Sequence, residues 1–263
     1  MDLGLGGKVA IVCAASKGLG RACATALARE GADVVICARH EGPLNDAAQA
    51  IHSETGTRVV PVVCDLTQRE GIERLVEKTV EAFGAIHSLV TNVGHPQMGA
   101  FSDLSEADWQ HGYEGVLLPV IRLCRLVIPH MQNAGWGRIV HITSVAVKDP
   151  GTPYLISSVF RTGVAALSKS LANEFGRAGI LVNTVCPGAF RTPLGEALIR
   201  GAAEQQNRPV EEIEAETAEA SAIGRIGEAE ELAALVAFLC SENASNITGQ
   251  AMTVDGGMLR GLL

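Results

Sequence analysis

Short apolar, β-branched runs alternate along the chain with stretches whose apolar residues recur at helical spacing. Lys8 to Cys13, Asp33 to Ala38, Arg58 to Cys64, Ser88 to Asn92, Arg138 to Ser144, Ile180 to Cys186 and Ala251 to Val254 read as strands. Between the first two, Leu19, Ala22, Cys23, Ala26 and Leu27 fall at i, i+3, i+4, i+7 and i+8, one face of a helix. Gly31 stands where a glycine closes a helix just beyond its last turn. Pro43 to Thr55, Gln68 to Phe83, most of Glu106 to Ala134, and Ala229 to Cys240 are further helical stretches; Val164, Leu167, Ser168, Leu171, Ala172 and Phe175 make another stripe. Strands that are near-continuous Val/Ile runs are buried on both faces, hence parallel and covered by helices. The alternation therefore predicts an α/β fold: a doubly wound parallel sheet of about seven strands with helices on both faces. Right-handed crossovers then place ligands beyond the carboxyl ends of the strands. No linker, repeat or low-complexity tract divides residues 1–263, which predicts a single domain.

The first strand runs into Cys13-Ala-Ala-Ser-Lys-Gly18-Leu-Gly20. A lone Gly-x-Gly says little. Here it follows a strand, opens a helix and begins a βαβ unit, the setting in which such a turn cradles a dinucleotide pyrophosphate. Ala14, Ser16, Lys17, Gly18, Leu19 and Gly20 are the expected phosphate-side residues, with the helix N-terminus offering free N–H groups. The second strand ends Cys37-Ala38-Arg39 with no acid to hold a ribose 2′-hydroxyl. Arg39 can fork onto a 2′-phosphate, and Lys17 adds a second cation, so the expected cofactor is NADP(H) rather than NAD(H).

These segments resemble the short-chain dehydrogenase/reductase family, and the resemblance runs over essentially the whole chain. The turn matches Thr-Gly-x-x-x-Gly-x-Gly, with Cys13 and Ala14 at the first two positions. Alanine resists positive φ, so a slightly different turn is expected there. Asp65-Leu66 sits at the adenine-binding position, Asn92-Val93-Gly94 matches part of Asn-Asn-Ala-Gly, and Pro187-Gly188 through Thr192 matches the segment that cradles the nicotinamide. The ending from Gly224 to Gly257 completes the match. The chain is most similar to an atypical branch of the β-ketoacyl-carrier-protein reductases.

The departure lies in the chemistry. Ser144 occupies the family's serine position, which holds the carbonyl oxygen. Where Tyr-x-x-x-Lys should follow, the chain reads Ser157-Ser-Val-Phe-Arg161, and the asparagine position is Val116. In the family the tyrosine, with its pKa drawn down from ~10 by the lysine, protonates the alkoxide. An alkyl hydroxyl at Ser157 is far too weak an acid for this. Arg161 carries the lysine's charge and a fork able to hold cofactor hydroxyls, yet an arginine is a poor proton donor. Lys148, in the loop leaving Ser144, and Tyr154, one turn before Ser157, are the substitute donors the sequence offers. His95 follows Gly94 and is expected to face the cleft, whereas His141, inside a strand, reads as a packed, hydrogen-bonded residue.

Three functions stay open on this reading: an NADP(H)-dependent oxidoreductase interconverting a ketone and a secondary alcohol with a non-standard proton donor, a non-redox NADP(H) enzyme catalysing dehydration or cyclisation, or a cofactor-binding pseudoenzyme or sensor. The partner is a small-molecule substrate, covered by an insertion at 194–223. Substrate identity is expected to lie in its Leu194, Leu198, Ile199 and Ile213, its acidic run being a solvated helix face. Val120, Leu123, Val127, Leu167 and Leu171 supply apolar faces that suggest a homo-oligomer, and the resemblance implies a tetramer. A net charge of −8 argues against nucleic acid. No apolar run reaches the ~18 residues of a membrane span, and the N-terminus lacks a signal pattern. The histidines show no paired spacing for a metal. Seven scattered cysteines without Cys-x-x-Cys fit a reducing cytoplasm rather than a disulfide framework.

Overall fold

A computed structural model describes residues 2–261. The expected alternation is present: β1 (Val9–Cys13), α1 (Gly18–Arg29), β2 (Asp33–Ala38), α2 (Glu41–Thr55), β3 (Val59–Val63), α3 (Arg69–Phe83) and β4 (Ser88–Asn92) form the first part. The second part holds α4 (Glu106–Gly112), α5 (Leu118–Ala134), β5 (Gly137–Ile142), α6 (Leu155–Phe175) and β6 (Ile180–Pro187). A two-residue strand β7 (Phe190–Arg191), α7 (Pro193–Gln206), α8 (Val210–Glu219), the matching short β8 (Gly227–Glu228), α9 (Ala229–Leu239) and β9 (Ala251–Val254) complete the chain. The seven long strands make one sheet in the order β3-β2-β1-β4-β5-β6-β9, all parallel. Strand order reverses beside β1, so the crevice between β1 and β4 at their carboxyl ends is the place for a dinucleotide.

Strand alternation sorts the core into two layers. Val12, Val34, Ile36, Val90 and Val140 pack under α1, α2 and α9 with Leu27, Leu44 and Leu232, while Ile11, Val35, Leu89 and Ile139 pack under α3, α5 and α6. Val120, Leu123 and Val127, expected as part of an association surface, are instead in this second layer with no more than 1% exposure. They face their own sheet because α5 lays its apolar stripe on β5 and β6. Leu167 and Leu171 are only partly buried.

The stretch from Glu106 to Ala134 is not one regular helix. A π-turn spans Tyr113–Leu117 between α4 and α5 and holds the buried Val116. Gly112 just before it is pressed against α6: a Cβ there would meet Ile156 Cγ2 at 2.2 Å. The extra residue of a π-turn lets the chain keep this contact and still bring the α5 stripe onto the sheet.

A polar row crosses the second layer. Thr91, His141 and Thr184 are register partners on β4, β5 and β6. His141 Nδ1 lies 2.8 Å from Thr91 Oγ1, and its Nε2 has no partner among the described residues. Complete burial pulls its pKa down to about 4. The histidine is thus neutral in the fold but takes a proton in the unfolded chain near pH 6.5. Its contribution is full above pH ~6.5 and is lost as pH falls toward about 4, a swing of about 3 kcal/mol. His87, whose Nδ1 accepts from Val9 N at 3.0 Å, is shifted the same way, chiefly by burial and then by Lys8. Urea unfolding at pH 7 and pH 4.5 should show a steeper loss in the wild type than in His141→Asn; equal slopes would remove His141 as the cause.

Candidate active site

The glycine turn takes the shape its position demands. Ala14 sits at φ +49°, in the left-handed region, despite its Cβ; that costs on the order of 1 kcal/mol. The alanine at this position therefore carries backbone strain. A Cβ on Gly20 would lie 2.4 Å from Ala14 O, so only glycine lets α1 approach the strand end so closely. Lys17 caps α1 in extended backbone and makes no side-chain capping bond, leaving the first N–H groups of the helix open. Gly18 faces Thr192, its position for a Cβ lying 3.4 Å from that side chain. The phosphate turn and the segment after β6 thus meet over the crevice.

Arg39 is exposed just beyond β2. Asp65 and Leu66 follow β3, where Asp65 Oδ1 accepts from Thr67 N at 3.0 Å and Thr67 Oγ1 at 2.9 Å. Asn92 ends β4, with Val93 and Gly94 beyond it. Pro187 ends β6, and Gly188 N donates to Val254 O at 3.0 Å. A Cβ on Gly188 would meet Asp255 at 2.8 Å, so the chain turns hard against the end of β9. All these residues stand along one edge of the sheet.

Ser144 lies two residues past β5 and opens a short 3-10 turn, Val145–Val147, where its Oγ accepts from Ala146 N at 3.2 Å. Its hydroxyl proton is left to give. Ser157 and Arg161 are one turn apart on α6, 5% and 7% exposed. Arg161 Nε donates to Ser157 Oγ at 3.1 Å, Nη1 to Thr143 O at 3.1 Å and Ile142 O at 3.4 Å, and Nη2 to Gly94 O at 3.0 Å. No carboxylate forms an ion pair with it among the described residues. Burial brings its pKa down to about 10. Four of its five N–H groups are engaged by the chain itself, leaving one for a ligand.

Cys186 Sγ lies 3.3 Å from Thr143 Oγ1. Burial raises its pKa, and the charges of Lys148 and Arg161 oppose the rise. Lys148 closes the short turn after Ser144, its backbone N donating to Val145 O at 2.8 Å, and is exposed. Tyr154 is the residue before α6 and is 39% exposed. Its loop is bound to the loop after β4: Gly99 N donates to Pro153 O at 2.9 Å, and Gly99 bridges Tyr154. His95 is exposed, and desolvation of its ring together with the Arg161 charge lowers its pKa.

Beyond Thr192, α7 and α8 form the polar arm. Ile213, expected to face substrate, is buried at 6%, taken up by the packing of α8 rather than displayed. Leu194 and Ile223 are 50% and 54% exposed. The acidic run is solvated as expected, with Glu212 and Glu216 paired to Arg208 and Glu214 to Arg191.

The chain is similar to known proteins along nearly its whole length. A family model described as enoyl-(acyl carrier protein) reductase matches residues 13–259. Human dehydrogenase/reductase SDR family member 4 is 34% identical over 255 residues, 96% of this chain and 88% of that one. L-sorbose reductase from Gluconobacter frateurii, crystallised with NADPH and L-sorbose, superposes with a TM-score of 0.95 at 33% identity, covering 100% of both chains. A variant actinorhodin polyketide ketoreductase, crystallised with NADPH, superposes with a TM-score of 0.92 at 33% identity over 97% of this chain and 98% of that one. With its seven-stranded parallel sheet, its glycine turn over the crevice and this match along nearly its whole length, the chain belongs to the short-chain dehydrogenase/reductase family.

Proposed function

We propose that the chain is an NADP(H)-dependent oxidoreductase that interconverts a ketone and a secondary alcohol, in an atypical branch where Ser157 and Arg161 stand in place of the tyrosine–lysine pair. The observation that carries this reading is the fitted cradle: an uncapped α1 N-terminus, and a glycine whose Cβ would collide with Ala14 O, beside a serine with a hydroxyl proton to spare. Ala14, Ser16, Lys17, Gly18, Leu19 and Gly20 would hold the pyrophosphate, Arg39 with Lys17 the 2′-phosphate, and Asp65 and Leu66 the adenine. Asn92, Val93, Gly94, Pro187, Gly188 and Thr192 would frame the nicotinamide, and the spare N–H of Arg161 would meet a ribose hydroxyl. When bound, NADPH supplies the hydride and is oxidised as the carbonyl carbon is reduced.

Ser144 donates to the carbonyl oxygen and draws charge onto it. Ser157 accepts from Arg161 and is too weak an acid to protonate the alkoxide, so the proton comes from elsewhere around the mouth. Lys148 and Tyr154, on the loop between Ser144 and α6, are the donors the sequence offers. Residues 194–223 cover the substrate, with Leu194, Leu198 and Ile199 available to contact it. Seven free thiols suit a reducing cytoplasm, and no helix among the described residues is long and apolar enough to cross a membrane.

The cofactor assignment is checked by titration with both dinucleotides. NADP(H) should bind more tightly than NAD(H), and Arg39→Asp should cost NADP(H) about tenfold or more, since a hydrogen bond to a charged group is worth ~1.5–3 kcal/mol. Tighter binding of NAD(H) by the wild type would overturn it. A panel of ketones then reads NADPH oxidation; tight NADPH binding with no ketone reduced would favour the non-redox or sensor reading.

Assembly as a homotetramer is proposed on narrower ground than the sequence suggested. The partly buried Leu167 and Leu171, and Val159 at 51% exposure, line α6. Light scattering at micromolar concentration should give four times the 27.5 kDa chain mass; a monomer mass would refute it.

A further inference from the structure

We propose that His95 is the catalytic residue that exchanges the proton with the substrate oxygen, and that Arg161 is its positioning residue. This rests on the redox reading above and names the group which that reading leaves open.

The geometry begins with register. Asn92 on β4 is the direct partner of Ile142 on β5. Two residues beyond each, the chains reach Gly94 and Ser144. Past the end of a sheet, neighbouring chains normally diverge. Here one guanidinium holds them: Arg161 Nη2 donates to Gly94 O at 3.0 Å and Nη1 to Thr143 O at 3.1 Å. The residue after the first clipped carbonyl is His95, and the residue after the second is Ser144. The same fork therefore ties the chain just before His95 to the chain just before Ser144. A second tie, Gly99 N to Pro153 O at 2.9 Å, joins the two loops farther out.

The chemistry fits the position. A proton donor to an alkoxide works best with a pKa near the working pH, which histidine has and Ser157 and Arg161 lack. Once the carbonyl carbon has accepted the hydride, the C=O π pair becomes a lone pair on an alkoxide oxygen held by Ser144. An N–H of the His95 imidazolium gives its proton to that oxygen. The bonding pair stays on the ring nitrogen, and the product leaves as the alcohol. Because His95 is exposed, solvent returns the proton. In the reverse direction, neutral imidazole takes the hydroxyl proton. Three cationic or titratable side chains surround the mouth: Arg161 from α6, Lys148 from the turn after β5, and Tyr154 at the start of α6. Desolvation and the Arg161 charge hold the imidazole below its ordinary pKa, so ketone reduction should accelerate as pH falls through that value, and alcohol oxidation should plateau above it.

The test compares His95→Gln, Lys148→Ala and Tyr154→Phe in the full chain. His95 is exposed, so its variant should fold. His95→Gln should cost at least tenfold in kcat, the most of the three, leave the NADPH dissociation constant within twofold, and flatten the acid limb of the reduction profile. A larger loss in Lys148→Ala or Tyr154→Phe would overturn the proposal in favour of that residue, with the redox reading intact. A readout independent of turnover is the imidazole NMR titration of His95 in the cofactor-free protein. Its pKa should lie below 6.5 and rise in Arg161→Gln while staying low in Arg161→Lys. A wild-type value at or above 6.5, or no response to Arg161→Gln, would overturn the pairing. Failure of the redox reading itself shows separately, as a wild type that reduces no ketone.

Discussion

Arg161 is a buried cation without a carboxylate, and the architecture of the site depends on how it is satisfied. Desolvating such a charge costs several kcal/mol. The offset comes from charge-assisted hydrogen bonds, each worth ~1.5–3 kcal/mol, to Thr143 O, Ile142 O, Gly94 O and Ser157 Oγ. Three of those acceptors are main-chain carbonyls at the ends of two parallel strands. The guanidinium therefore continues the sheet's hydrogen bonding past the point where the strands stop. Were it removed, the carbonyls would be left unpaired and the segments beyond β4 and β5 would lose this tie. This side chain ties the chain before Ser144 to the loop after β4, with Gly99 N to Pro153 O as a second tie farther out.

Most of the fold was legible in periodicity because the signals are local. β2, β4 and β9 fall where alternating apolar runs place them, and β1, β3 and β6 differ by single residues at their ends. The expectations that failed needed tertiary information. The hydrophobicity of Val120, Leu123 and Val127 says that they are buried, not against what, and their own sheet claims them. Ile213 is likewise apolar for α8 packing. The π-turn at Tyr113–Leu117 is dictated by contact with α6, which no local pattern records. Ala14 shows the opposite case: side-chain chemistry argued against the left-handed turn, and the surrounding βαβ geometry imposed it.

The glycine turn from Ala14 to Gly20 was legible because a tight turn between a strand and a helix is a short, contiguous piece of chain. The candidate catalytic edge was less so. Its groups come from the ends of β4, β5 and β6 and from α6, and their relation is carried by hydrogen bonds to main-chain atoms, which leave no mark in the sequence. An arginine at position 161 reads as a charge. Only the fold shows that most of that charge is engaged by the backbone. His95 was visible as a histidine next to a family motif, and the missing signal was the fork that ties Gly94, just before it, to Thr143, just before Ser144.

The two departures from the family pattern make sense together in this light. Lysine carries three N–H groups on one nitrogen, whereas the planar arginine fork spreads its donors over three nitrogens and so reaches Gly94 O and Thr143 O at once. Reaching them needs room for the longer head, and Nε requires an acceptor at its side. Serine at 157 provides both, being far smaller than tyrosine and placing Oγ 3.1 Å from Nε. A phenol returned to position 157 alone would compete with the guanidinium for that space, and a lysine returned to 161 alone would lose the bridge between the strands. Serine at 157 and arginine at 161 thus form one self-consistent packing on α6. On the proposed reading, the proton comes from the chain that Arg161 holds rather than from α6.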